Sequence, residues 1–137
     1  MPIEILAYEE TQLGVLCLRR RELISRPGTI VTEVTLNHEF LMSSYLTESE
    51  RTLATQGLRR IACAAGQDNE SAAKVLIGGF GLGYTAAAAL EAPAVASIEV
   101  ASVEVIEFLP QVIGWFDAGL IPLADRLQSD SRLTVTQ

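Results

Sequence analysis

Twelve residues, Lys74-Val75-Leu76-Ile77-Gly78-Gly79-Phe80-Gly81-Leu82-Gly83-Tyr84-Thr85, constrain the fold more than any other stretch of this chain. The short apolar run at 75–77 reads as a buried parallel strand. Four glycines follow within six positions, and Thr85-Ala86-Ala87-Ala88-Ala89-Leu90-Glu91 reads as the start of a helix. Strand, glycine turn and helix in this order form the unit with which α/β proteins hold nucleotide-like ligands. Glycines permit positive φ in a tight turn and let a ligand lie against bare backbone. The helix end behind them offers free N–H groups and the positive end of a dipole. Gly78, Gly79, Gly81 and Gly83 are therefore candidate cofactor contacts.

A second strand is expected at 101–106, with Glu107 at its carboxyl end. An acid there hydrogen-bonds ribose hydroxyls in such folds. Glu107 lies 24 residues after Gly83, against roughly 20 for this kind of site. The excess has a source in the chain itself. Val95-Ala96-Ser97-Ile98-Glu99 is followed by Val100-Ala101-Ser102-Val103-Glu104, a near-perfect tandem copy. An odd insertion flips the in/out alternation of a strand, so one copy is expected to bulge or to lengthen the preceding loop. The repeat leaves Glu104 as a second candidate for the ribose acid.

These two segments resemble the spermidine synthase family of class I S-adenosylmethionine-dependent transferases. That family reads strand, G-G-G-D-G-G, helix, then V-E-I-D-P-x-V-I. Gly78, Gly79 and Gly83 match its loop, and Glu107, Pro110, Val112 and Ile113 match its second segment. Gly81 stands where the family carries an Asp, and so does Leu109. The resemblance therefore implies nucleoside binding more firmly than polyamine synthesis. It implies S-adenosylmethionine or decarboxylated S-adenosylmethionine as cofactor, a small-molecule nucleoside ligand, and aminopropyl or methyl transfer. It also implies an N-terminal β unit followed by a segment that closes over the site. Asn37-His38-Glu39-Phe40-Leu41-Met42 is similar to that segment, which adds His38 and Glu39 to the candidate ligand contacts. The implied fold class is α/β: an N-terminal antiparallel β unit over residues 1–46, then a partial Rossmann-like parallel sheet of the class I methyltransferase type over 47–137. The family has about seven strands, of which this sequence carries three, so the resemblance covers the N-terminal portion and leaves the catalytic residues and the acceptor unread. The family's fourth strand lies beside the first. Without it the strand at 75–77 becomes an edge, and a homo-oligomer is expected.

Two other readings stay open. Gly81-Leu82-Gly83-Tyr84-Thr85-Ala86 fits the dinucleotide pattern G-x-G-x-x-A, although that form starts at the strand end and Gly81 lies four residues past Ile77. A non-catalytic nucleoside-binding or assembly module, or a turn that holds no ligand, is the third.

The rest of the chain sets bounds. A length of 137 residues suffices for one core. A net charge of −7 argues against nucleic acid as partner. No apolar run is long enough to span a membrane, and Met1-Pro2-Ile3-Glu4 does not open a signal peptide, so the expected location is cytoplasmic. One His and two isolated Cys show no metal spacing, so no metal site is expected. Cys17 and Cys63 read as small buried residues. Residues 3–8, 14–19 and 30–36 read as strands, with Arg19-Arg20-Arg21 a solvated hairpin end. Thr47-Glu48-Ser49-Glu50 reads as a capping box opening a helix to about Ala65. Leu53, Leu58, Ile61, Ala62 and Ala65 form its apolar face, and Gly66 is its stop. Residues 110–117 and 122–128 read as short helices, Trp115 and Phe116 as core, and 132–136 as a third strand.

Overall fold

The alternation of apolar and polar residues in the first third of the chain produces an antiparallel sheet with one strand more than the sequence announced. The computed structural model describes residues 3–65, 72–92 and 98–137. Strands β1 (Glu4–Thr11), β2 (Gly14–Glu22), β3 (Ile30–Leu36) and β4 (Glu39–Ser43) pair in sequence order. Leu16 faces Leu36 and Leu18 faces Val34 on the side turned to the core. The other side carries the charges. Arg19 faces Glu33 directly across β2 and β3.

That pairing corrects the reading of the three arginines. Arg21 Nε and Nη2 donate to Glu33 at 3.0 and 2.6 Å, and Arg19 Nε donates at 3.1 Å. Period-two alternation sends only Arg20 to the opposite face, where it lies 3.6 Å from Glu4. Glu33 is buried, which pushes its carboxyl up. The hydrogen bonds and charges of Arg21 and Arg19 outweigh that and hold it below the usual carboxylate range.

The 37–42 segment forms a hairpin turn and most of a fourth strand. Asn37 and His38 both take positive φ, 51° and 69°, and make a two-residue hairpin turn into β4. Asn tolerates this conformation, and its Oδ1 accepts from Val15 N–H at 2.9 Å, which locks the turn. His38 and Glu39 are thereby carried to an exposed end, with the His38 ring 6.5 Å from that of Tyr8.

The remaining elements are α1 (Glu48–Ala65), β5 (Ala73–Gly78), α2 (Tyr84–Glu91), β6 (Val100–Ile106), α3 (Pro110–Asp117), α4 (Ala124–Gln128) and β7 (Leu133–Thr136). Strands β5, β6 and β7 form a separate parallel sheet in that order. The fold is thus α/β, with a four-stranded antiparallel sheet and a three-stranded parallel one. One hydrophobic cluster joins them: Leu16, Leu18 and Val34 pack with the buried residues of α2, β6 and α3. Trp115 Nε1, donating to Glu9 at 3.1 Å, ties α3 to β1.

Helix α2 is buried on nearly every side because its alanines let α1 and the sheet approach closely. Arg132 closes its far end, donating to Leu90 C=O at 3.1 Å while gripping Asp130 at 2.7 Å. Helix α1 starts differently from a capping box: Thr47 Oγ1 accepts from Arg51 Nε, and Glu50 accepts from the Ser49 hydroxyl. Its apolar face is only half covered. Ala54 and Leu58 are buried, whereas Leu53 and Ile61 are exposed. Cys17 is buried as expected, but Cys63 is exposed on the polar side of this helix.

Between β5 and β6, Ala73 faces Val100 but Lys74 faces Ser102, so Ala101 is an extra residue in a bulge. This falls in the second copy of the five-residue repeat. The first copy lies partly at 95–97, outside the described residues, as do Gly66 and the loop expected at 67–71. No helix among the described residues is long and apolar enough to cross a membrane.

Candidate functional site

The glycine loop owes its shape to an alternation within Gly79-Phe80-Gly81-Leu82-Gly83. Phe80 and Leu82 point into the core, and the Phe80 ring packs on Phe116 with centroids 4.8 Å apart. The glycines between them let the backbone turn. Gly83 has the least freedom of choice: φ is +85°, and a Cβ there would meet Leu127 Cδ1 at 2.6 Å. Gly81, at φ +56°, would set a Cβ 3.1 Å from Met42 Sδ of β4. Where the resembled family carries an Asp, this chain needs a small residue so that β4 can close against the loop. Gly78 ends β5, and Gly79 follows it at φ +86° with open space around it.

Glu107 is brought under this loop. Its Oε2 accepts from Phe80 N–H at 2.7 Å and its Oε1 from Leu109 N–H at 2.9 Å, and it is 7 % exposed. A carboxylate offers about four lone-pair positions, so two bonds leave acceptor capacity for hydroxyl donors. The immediate effect of the two is to brace the loop against the end of β6. Glu104, the other candidate acid, is exposed on the outer face of β6 beside Leu76.

Between the loop and β4 lies a cleft of about 300 Å³, lined by Leu41, Met42, Ser43, Glu50, Gly79, Phe80, Gly81, Leu82, Tyr84 and Thr85. That volume is at the lower end of small-molecule sites. One wall is loop backbone and the first turn of α2. Gly83 precedes that helix without a side-chain cap, so no N-cap side chain occupies its first-turn N–H groups. The opposite wall is β4. Arg51 stacks over the Tyr84 ring at 5.3 Å. Burial pushes the Tyr84 phenol above its ordinary value, partly offset by Arg51 and by a hydrogen bond with Ser44.

Of the residues singled out from sequence, Gly79 and Gly81 line the cleft, Gly83 shapes its floor, and Glu107 holds the loop from beneath. His38 and Glu39 are not among the lining residues. Ser43 and Glu50 were missed as wall residues, whereas Leu41 and Met42 belong to the segment expected to close over the site. For β4, an Asn-His turn is a weaker hairpin signal than Asn-Gly. For Glu50, the capping-box pattern at 47–50 accounts for the acid locally and carries no signal of a cleft. Among the described residues, no three His, Cys, Asp or Glu side chains come together as a metal site. No family model and no characterised protein matches the chain.

Proposed function

We propose that the cleft between the glycine loop and β4 binds an S-adenosylmethionine-type nucleoside, and that the chain is the nucleoside-holding part of a spermidine synthase-like transferase with a Rossmann-like sheet. The observation that carries this reading is the hydrogen bond of 2.7 Å between Glu107 and the Phe80 N–H. It ties an acid from the end of the second parallel strand to the glycine loop of the first, and so fixes the loop backbone that forms one wall of the cleft. The uncapped start of α2 then faces the polar end of the same ligand. Within the cleft the acid is Glu50, and the other lining residues are apolar, hydroxyl or glycine. The wall therefore binds and orients the nucleoside, and the acceptor side of any transfer is left to other residues.

Titration calorimetry with S-adenosylmethionine, its decarboxylated form and methylthioadenosine tests the reading. Affinities of roughly tens of micromolar correspond to about −6 to −7 kcal/mol, a level for a site that grips one side of its ligand. Heat with a nicotinamide dinucleotide and none with these three would replace the assignment by the dinucleotide one.

A further inference from the structure

We propose that the open edge of β5 is a self-pairing surface, on which a second copy of this chain adds its own β5 antiparallel, about a twofold axis midway between the two copies of Leu76. The proposed contact uses none of the residues that line the nucleoside cleft.

Four strand edges face outward among the described residues, those of β1, β4, β5 and β7. Proteins blunt such edges with charge, irregularity or shortness. Strand β1 carries Glu4, Glu9 and Glu10 and a register break between Ile5 and Ala7. Strand β4 has five residues and a register break against β3, and β7 has four residues. Strand β5 runs unbroken from Lys74 to Gly78, and Lys74 is its single charge.

The hydrogen bonds determine which groups on that edge are free. Ala73 N–H donates to Glu99 C=O at 2.7 Å, and Gly79 N–H donates to Ile106 C=O at 2.8 Å. Odd-numbered residues of β5 therefore turn their backbone toward β6, and Lys74, Leu76 and Gly78 turn theirs outward. A twofold axis normal to the sheet keeps its faces distinct, so facing residues must share a face, and the axis must lie midway between the two copies of one residue. Centred on Leu76, it sets Leu76 against Leu76, Lys74 against Gly78, and Val75 against Ile77 of the second copy. Every outward-turned residue then belongs to a hydrogen-bonded facing pair, which exchanges two bonds. The two lysines meet glycines. Centring on Val75 instead would leave Gly78 unpaired.

The side chains favour the same occupant. Leu76 is 70 % exposed, and pairing covers it with its own copy. On the other face, the edge opens into an apolar groove of about 380 Å³ between β5 and α1, lined by Leu53, Ala54, Leu58 and Ile61. Leu53 and Ile61 are 68 % and 48 % exposed. Val75 and Ile77 of the second copy would enter that groove. An isologous contact of this kind closes on itself, whereas β5 on β7 would propagate into a filament.

Cross-linking of the whole chain tests the register. In a Cys63→Ser background, Leu76→Cys places two sulfurs across the axis, at a Cα separation of about 5.5 Å, which a disulfide spans. Mild oxidation should convert most of this variant to dimer, while Lys74→Cys, which faces a glycine, should cross-link far less. In sedimentation the unsubstituted chain should run at twice the mass of one chain. Leu76→Glu should weaken the dimer at least about tenfold with unchanged far-ultraviolet circular dichroism, because like charges would meet at the axis. An equal mixture of Leu76→Glu and Leu76→Lys should restore it. Equal cross-linking at positions 74 and 76, or an unsubstituted chain that sediments as a monomer at every concentration, would overturn the proposal.

Discussion

The two sheets of this molecule solve the problem of an exposed face in opposite ways. The antiparallel sheet buries polar residues at its centre, Thr32, Glu33 and Thr35, and satisfies Glu33 with arginines from its own neighbouring strand. Its edges are charged or broken. The parallel sheet is apolar at its centre, with Val103 and Val105 fully buried, and helix α2 covers one face. Its other face shows Leu76 and Ile106 to solvent. Parallel sheets are ordinarily covered on both sides. Strands joined by hairpins find their partners locally and can stand alone. Strands joined by crossovers depend on layers contributed from farther along a chain, or from another one.

The sharpest way to strain the contrast is at the joint where the parallel unit meets its glycine loop. Gly83→Ala combines a left-handed φ with a Cβ pressed on buried Leu127, and should cost about 2–4 kcal/mol in urea unfolding. A near-neutral result would mean that the loop is free to rearrange.

Glu107→Ala should have an effect of comparable size. It leaves the buried N–H groups of Phe80 and Leu109 without acceptors, at about 1–3 kcal/mol for each group left unpaired. It should also weaken nucleoside binding at least about tenfold. Glu104→Ala, on an exposed face, should leave both stability and affinity unchanged. Reversed results would move the ribose acid to Glu104.

In the antiparallel sheet, Glu33→Ala should cost about 2–3 kcal/mol, less than the roughly 3–5 of a fully buried broken pair. The reason is that Arg19 and Arg21 keep 29 % and 28 % of their side-chain exposure and regain water. The same carboxylate sets an acid dependence. Its folded pKa lies below its unfolded one, so its contribution is complete above the ordinary carboxylate range and is lost as pH falls through the lowered value. Acid titration of stability in the parent and in Glu33→Gln should give curves whose slopes differ in that window alone, with a constant offset above it. Parallel curves would show that the arginines do not hold the charge.

The smallest effect is expected where the comparison is most visible. Leu76→Ala in a chain dilute enough to be monomeric should change stability by less than about 0.5 kcal/mol, since an exposed side chain away from caps and ion pairs contributes little. A large loss under those conditions would mean that the outer face is covered within a single chain.

Much of this was written locally in the sequence. The apolar run at 75–77, the glycines after it and the alanines beyond them set strand, turn and helix without reference to the rest of the chain, because backbone freedom and side-chain size act over a few residues. The helix at Pro110–Asp117 was legible from Pro110 at its first position and Gly119 after it. What lay beyond such reading depended on partners distant in sequence. Arg19 and Arg21 read as solvated until β3 brought Glu33 between them, and residues 37–42 read as a closing segment, of which Leu41 and Met42 line the cleft while the turn locked by Val15 leaves His38 and Glu39 outside its lining. Leu53 and Ile61 read as buried because periodicity defines an apolar face but not what covers it. Glu107 could be named as an acid near the loop, but its grip on the Phe80 amide required the pairing of β5 with β6, which no local pattern encodes. Propensity, turn chemistry and periodicity are properties of neighbours along the chain, whereas burial, charge pairing and the walls of a cleft are properties of neighbours in space.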